Sequence, residues 1–337
     1  MSQRIVTVFG GSGFIGRHVV RRLAQEGAQV RVAVRDPETA NYLRLMGGIG
    51  QIVPVPTDIS DPASVARALD GADQAVNLVG ILFEAGKQRF QRVHTDAAAC
   101  IADASQTAGV RQLVHVSAIG ADTKSDALYA RTKGLGEKAV KKAYPKATIL
   151  RPSIVFGPED GFFNLFAGMS RLAPALPVFG CPAWPKVSVF SNKGLFNLDF
   201  YGDGGTKFQP VYVGDVADAV MTTLGSPETA GKVYELGGPT VYSSRELMSL
   251  MLRTIGRRRI LLPLPFWLLT TMGFFMEALP KPLITRDQVK LLRRDNVVAR
   301  RAKKLQDLGI ASTAAEAVLP TYLARFRIPR RDSVEKS

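Results

Sequence analysis

Ile5-Val6-Thr7-Val8-Phe9-Gly10-Gly11-Ser12-Gly13-Phe14-Ile15-Gly16 is the stretch on which the reading of the whole chain turns. Its first five residues are β-branched or aromatic, the composition of a strand buried on both faces. The glycines that follow let the chain turn tightly and let bare backbone approach an anion. A helical run, Ile15 to Gln25, comes next. The turn therefore faces a helix N-terminus, with its free amides and positive dipole end. In the order strand, glycine turn, helix, these features predict a site for a dinucleotide pyrophosphate. The bland alternative is a tight turn that holds no ligand.

Outward from this unit the chain repeats one rhythm. Strand-like runs at Val30–Val34, Ile52–Pro56, Ala75–Val79, Leu113–Val116 and Ala147–Leu150 alternate with helical stretches such as Ala97–Ala108. Asp61 suits a helix N-cap, and Pro62 the first turn behind it. Such alternation predicts an α/β fold, a Rossmann-like doubly wound parallel sheet with helices on both faces. After Arg151 the rhythm loosens. Pro and Gly gather over 174–185 and 202–205, and Val211–Met221 reads as a short strand entering a helix. Ser243-Ser244-Arg245-Glu246 is a capping box that opens a helix over Leu247–Ile255. The expected organisation is a dinucleotide-binding core over 1–155, a smaller second lobe over 156–255 that partly completes the sheet, and an apolar-basic extension over 256–337.

Composition narrows the function. Hydrophobic content of 46% and charged content of 22% over 337 residues are those of a folded globular chain. Cys100 and Cys181 are too few and too far apart for a disulfide or metal framework, so reduced thiols are expected. His18, His94 and His115 have no metal-site spacing and read as packing residues, as do Trp184 and Trp267, which also suit an interface. No metal is expected. The net charge of +15 favours acidic partners. Nucleic acid is the weakest of these, since no helix-turn-helix, zinc-finger spacing or basic-aromatic stretch is present. The N-terminus reads as a buried strand and not a signal peptide, and no run reaches the roughly 20 apolar residues of a membrane span. A cytoplasmic protein, able to lie on a membrane, is expected.

The second strand carries the choice of nucleotide. It ends in Val34-Arg35, where an acid would hold the ribose 2′-hydroxyl of NAD and an arginine accommodates a 2′-phosphate. Arg17, just behind the glycine turn, adds a second cation. NADPH is therefore favoured over NADH. Asp36 argues the other way, although Asp36-Pro37 also reads as a turn. Asp58-Ile59 ends the third strand, where the acid could meet an adenine amine or only join the turn before Asp61. Asn77 to Gly80, with Leu78 and Val79 between them, ends the fourth strand, and Gly80 would permit close approach of the cofactor. Tyr129 and Lys133, four apart, share one helix face. An ammonium beside a phenol lowers its pKa and suits it to acid–base work, and the same lysine could hold the nicotinamide ribose.

Gly10–Gly16 with Tyr129 and Lys133 resembles the short-chain dehydrogenase/reductase superfamily, in its extended or atypical branch. Arg151-Pro152-Ser153-Ile154-Val155-Phe156-Gly157-Pro158 is similar to that branch's sixth-strand segment, whose backbone packs near the nicotinamide. Gly202-Asp203-Gly204 and Val213-Gly214-Asp215-Val216 resemble its substrate lobe. A closer resemblance spans nearly the whole chain. His115-Val116-Ser117, Tyr129 to Glu137 and Val155 to Asp160 look like the Rossmann accessory subunit of respiratory complex I. Leu262-Pro263-Leu264-Pro265, Leu283 to Val289 and Asp307-Leu308-Gly309-Ile310 extend the likeness through the tail. That family holds NADPH as a structural element. The resemblance implies an accessory subunit stabilising complex I near the junction of its peripheral and membrane arms, bound to other complex I subunits. It would lie on the cytoplasmic side of a bacterial inner membrane, or the equivalent matrix side.

The cofactor contacts expected on these grounds are Gly10, Ser12, Gly13, Phe14, Ile15, Gly16, Arg17, Arg35, Asp58, Ile59, Leu78, Val79, Gly80, Ser117, Tyr129, Lys133, Pro152 and Ile154. Tyr129, Lys133 and Ser117 are the catalytic candidates of an alternative reading, an active NADPH-dependent reductase or sugar-nucleotide epimerase. Against it, active members place a hydroxyl beside the tyrosine, and Ser117 is followed by Ala118-Ile119-Gly120, with Ile119 filling the usual place. A free-standing redox-sensing dinucleotide binder is a third reading. Phe266–Leu279 is nearly all apolar, bracketed by Pro263, Pro265 and Pro280. Cations follow at Lys281, Arg286, Lys290, Arg293, Arg294, Arg300, Arg301, Lys303 and Lys304. Residues 262–304 thus suit contact with membrane lipids or a large protein interface, the alternative being a buried helix ringed by solvated charges.

Overall fold

The computed structural model describes residues 4–86, 88–182, 186–191, 194–279 and 282–327. Trp184, Pro280 and Lys281 lie outside the described residues. The expected rhythm is present. Strands β1 (Ile5–Phe9), β2 (Gln29–Val34), β3 (Ile52–Pro56), β4 (Gln74–Asn77), β5 (Gln112–Val116) and β6 (Thr148–Pro152) alternate with helices. These are α1 (Phe14–Gln25), α2 (Pro62–Leu69), α3 (Ala97–Thr107) and α4 (Leu128–Ala143). Beyond β6 come β7 (Val155–Phe156), α5 (Phe163–Met169), β8 (Ala175–Phe179), β9 (Lys186–Ser191), β10 (Gly194–Asp199), β11 (Lys207–Phe208), β12 (Val211–Tyr212) and α6 (Val213–Gly225). The chain ends with β13 (Val233–Leu236), β14 (Tyr242–Ser243), α7 (Ser244–Thr254), β15 (Ile260–Leu264), α8 (Phe266–Met276), α9 (Arg286–Leu292) and α10 (Ala315–Leu323).

The central sheet has seven strands in the order β13-β6-β5-β4-β1-β2-β3, all parallel. Connections reverse direction between β1 and β4, which opens a crevice beyond the strand ends, where open α/β sheets bind ligands. On one face, Val19, Val20 and Leu23 of α1 pack with Val216, Val220 and Leu224 of α6 over Val6, Val8, Val30 and Val114. On the other, Val65 and Leu69 of α2, Ile101 of α3 and Val140 of α4 cover Phe9, Ala75 and Leu113. Asp61 caps α2 by accepting from the amides of Ala63 at 3.0 Å and Ser64 at 3.2 Å. The capping box at α7 forms between Ser243 and Glu246. Strand β4 stops at Asn77, short of the expected Val79, because the Asn77 side chain accepts from the Val79 amide at 3.0 Å and bends the chain.

A second core lies at the strand ends. It joins Phe156, Phe163, Phe166 and Phe179 to Leu247 and Met251 of α7, Leu269 of α8, Val289 of α9, and Leu319 and Leu323 of α10. The segment between α9 and α10 returns to the first core, where Leu305, Leu308 and Ile310 pack. Thr313 donates from its amide and its hydroxyl to Asp215, each at 2.7 Å. Helix α8 is not a buried helix: Leu269 and Gly273 are buried, while Trp267, Phe274 and Phe275 are exposed.

A partly buried ion-pair cluster, with Glu137 its most buried member, joins three of these parts. Arg151 of β6 makes a two-pronged contact with Glu137 of α4, at 2.8 and 2.6 Å, and reaches Glu235 of β13 at 3.4 Å. Glu235 also accepts from the Ala299 amide at 2.8 Å. Removing one partner of such a cluster strands a buried charge, which costs about 3–5 kcal/mol. We predict that Arg151→Met lowers unfolding free energy by about 3 kcal/mol or more, and that Arg151→Met/Glu137→Leu regains over half of the loss. Urea unfolding of the single and double variants checks this, and equal losses in both would contradict it.

Candidate functional site

The glycine turn is shaped by contacts that exclude side chains. Gly10 has φ +77°, and a Cβ there would sit 3.2 Å from the carbonyl carbon of Leu78. At Gly16 a Cβ would collide with the carbonyl oxygen of Gly10 and the backbone of Gly11. The helix thus starts pressed against the end of β1. Gly13 is its N-cap, with no side-chain cap and no acid in the first turn. The first-turn amides of a 12-residue helix are therefore left to whatever occupies the crevice. Tyr42 braces the turn by donating from its hydroxyl to the Ser12 carbonyl at 2.8 Å. Arg17 lies over the Tyr42 ring at 5.2 Å and within 3.6 Å of Glu159.

The rim continues from β2 to β4. Arg35 is exposed at the end of β2, and Gln88, with its amide oxygen toward the guanidinium, accepts from it at 2.7 and 3.1 Å. The Asp36 carboxylate accepts from the Glu38 amide at 3.0 Å, so it serves the turn. Asp58 does likewise, with Oδ1 accepting from the Ser60 amide at 2.8 Å. Ile59 and Val79 pack against the α2–α3 core, and Ile15 and Leu78 against the α1–α6 core.

Deeper in, Gly80 faces Lys133: a Cβ would lie 3.2 Å from Nζ. Lys133 is buried and donates to the Val116 carbonyl at 3.4 Å. Burial pulls its pKa down to about 8. Ser117, the next residue, is buried, and its hydroxyl has no partner among the described residues. His94 accepts at Nε2 from the Ile81 amide at 3.1 Å, which leaves Nδ1 to donate to Thr132 at 3.2 Å. Burial and Lys133 lower the pKa of His94 to about 3, so the ring is neutral. His115 is held neutral by the same two causes. Tyr129 packs edge-on against Phe90 at 5.8 Å and His94 at 5.2 Å. Here the sequence expectation is corrected. The phenol is not lowered by Lys133; burial pushes it up to about 12. It is protonated at neutral pH, the form that donates a hydrogen bond or a proton.

The C-terminal extension closes on both segments expected to face the cofactor. Asp287 caps α4 by accepting from the amides of Leu128 at 2.6 Å and Tyr129 at 2.9 Å. Asn296 accepts from the Ser153 hydroxyl at 2.5 Å and the Ile154 amide at 3.2 Å. Ile154, expected to face a nicotinamide through its backbone, therefore already has its amide partner within the chain. Pro152 accepts from the Ile119 amide at 3.0 Å.

A family described as NAD(P)H-binding matches residues 10–161. The chain is 34% identical to NADH dehydrogenase [ubiquinone] 1 alpha subcomplex subunit 9, mitochondrial, of Arabidopsis thaliana, over 96% of this chain and 78% of that protein. It is also 34% identical to the Rattus norvegicus protein of that name, over 97% of this chain and 81% of the other. It belongs to this complex I subunit family. The solved structure of MoeE5 in complex with UDP-glucose and NAD superposes with a TM-score of 0.67 over 94% of this chain and 97% of that one, at 18% identity, a likeness of fold.

The subunit-9 likeness runs through the extension that carries Asp287 and Asn296. In this family member the nucleotide cleft fits a nicotinamide dinucleotide: uncapped amides at Phe14, Ile15 and Gly16, bare backbone at Gly10 and Gly80, and a Ser117 hydroxyl with no partner among the described residues. Tyr42, Gln88, His94, Asp287 and Asn296 were missed by sequence reasoning. Asp287 gave a misleading signal, since Thr285 and Gln288 form a capping box of its own helix and Asp287 reads as that helix's first-turn acid.

Ribose hydroxyls beside Lys133 would favour its ammonium form, so nucleotide binding takes up a proton where the free lysine is neutral, above about 8. We predict that affinity weakens as pH rises through about 8 and that Lys133→Met has a flat profile. Nucleotide fluorescence titrations across that range check it. A flat profile in the unaltered protein would remove Lys133 from the site.

Proposed function

We propose that this chain is an NADPH-holding accessory subunit of complex I, in which the nucleotide braces the fold. The observation that carries the reading is the likeness to subunit 9, which covers the dinucleotide core and the extension alike. Gly10, Ser12, Gly13, Phe14, Ile15, Gly16 and Arg17 would hold the pyrophosphate, and Arg35 with Arg17 the 2′-phosphate. Gly80, Ser117, Tyr129 and Lys133 would face the nicotinamide and its ribose, which supplies hydride-transfer chemistry when bound. The nucleotide would tie α1, the end of β4 and α4 together. The extension laid over the start of α4 supports a structural role for it.

Residues 256–337 form the docking part in this reading. Among the described residues no helix is long and apolar enough to cross a membrane. Helix α8 instead presents apolar residues outward beside basic ones, which suits a peripheral position on the membrane face where complex I subunits are contacted. The bacterial cytoplasmic face and the mitochondrial matrix face are equivalent in this sense.

Gentle-detergent purification of the tagged native protein tests the reading. The expected result is co-purification with complex I subunits and about one NADPH per chain. A lone protein with exchangeable nucleotide and a turnover lost in Tyr129→Phe would replace it with the reductase reading. A second measurement addresses the nucleotide itself. Arg35→Ala is expected to weaken NADPH at least about tenfold and to leave NADH within about twofold. Equal loss of both would remove the 2′-phosphate from Arg35.

A further inference from the structure

A groove of about 1020 Å³ runs between the start of α4, residues 83–86 and 89–90, and the α8–α9 pair. Its charges are unevenly matched. Glu84 is engaged by the Phe90 amide at 2.8 Å and by Arg89 at 3.4 Å. Glu277 is taken by the Arg286 amide at 2.7 Å and its guanidinium at 2.8 Å. Asp287 is spent on the α4 amides. Asp126 is the remaining acid among the described residues of the lining. Against it stand Arg131, Lys290 and Arg293, none of which makes an ion pair among the described residues. Arg131 donates to the Ser125 carbonyl at 3.0 Å and Lys290 to the Asp126 carbonyl at 3.4 Å, contacts that leave both charges standing. Arg293 lies over the Phe266 ring at 5.7 Å.

The groove opens onto an apolar face. Trp267 is 62% exposed, Phe274 58% and Phe275 69%, and Leu283 also faces out. Leu279 belongs to both features: it lines the groove and is 54% exposed. A cationic recess continuous with an outward aromatic face fits an amphiphile whose phosphate enters the recess while its chains follow the helix. A soluble phosphate ester would leave the aromatic face uncovered, and an acidic peptide would leave Trp267 and Phe275 without an apolar partner.

We propose that this groove binds the phosphate headgroup of an anionic membrane phospholipid, with Arg131, Lys290 and Arg293 as its donors and the α8 face against the acyl region. This rests on the peripheral-membrane reading above and makes it specific. The test floats the full-length, nucleotide-loaded protein with vesicles of phosphatidylcholine alone or with added phosphatidylglycerol, at physiological ionic strength. Two variants of equal charge are compared: Arg131→Gln/Lys290→Gln/Arg293→Gln in the groove, and Arg300→Gln/Arg301→Gln/Lys303→Gln outside it. Retained nucleotide and an unchanged unfolding midpoint establish that each is folded. Should the groove triple fail this, Lys290→Gln and Arg293→Gln, both exposed positions, are compared singly with Arg300→Gln. The expected result is binding to the anionic vesicles, weakened by the groove variant at least about tenfold more than by the outer one. Equal losses would overturn the groove and leave the membrane reading standing. No binding to either vesicle would overturn both. Release of the protein from vesicles by millimolar glycerol phosphate would overturn the lipid as the source of the phosphate.

Discussion

Helix α1 starts so close to the end of β1 that no Cβ fits at Gly16, and this contact governs what the rest of the molecule can do. It aims the uncapped N-terminus of α1 into the crevice between β1 and β4, where the sheet's connections change direction. A peptide dipole there favours an anion, and the amides need acceptors that the chain itself does not supply by a side-chain cap. Tyr42 then holds the turn by its Ser12 carbonyl, and Arg17 is stacked on Tyr42 beside Glu159. The positive end of the cleft is thus built in layers from one close backbone approach.

Beneath the cleft burial disfavours the charged form of each titratable group. His94 and His115 are neutral, Tyr129 is protonated, and Lys133 sits near its midpoint a little above neutral pH. Burial is the main cause in each case, because a low-dielectric surrounding penalises the charged form. A tyrosine in that condition donates a hydrogen bond well and abstracts a proton poorly. The arrangement suits a site that holds a polar ligand.

The extension is woven into the fold. Asp287 reaches the start of α4, Asn296 reaches the β6–β7 junction, and Thr313 clamps Asp215. Tyr322 of α10 donates to the buried Asp160. These four contacts bind the tail to the start of α4, the β6–β7 junction, α6 and the turn before α5. The outward aromatic face of α8 is what remains after the tail has buried its other side in the second core.

Local chemistry was enough to read much of this in the sequence. Strand and helix order, the glycine turn, the Asp61 cap and the Ser243–Glu246 box all depend on residues near one another in the chain, where steric and hydrogen-bond preferences act directly. The same locality explains the misses. Asp36 and Asp58 lie in turns, and whether their carboxylates serve the turn or a ligand depends on backbone geometry that spacing does not reveal. The environment of Tyr129 depends on Phe90 and His94, which come from another segment. Asp287 is 158 positions from the Tyr129 amide it caps. Sequence alone determined the fold class, the anion-binding turn and the apolar-basic character of the tail, because each follows from period, propensity and composition. Tertiary structure alone decided where the tail lies, which acids are spent on backbone amides, and which cations stay unpaired. Those outcomes depend on burial and on partners brought together from distant parts of the chain.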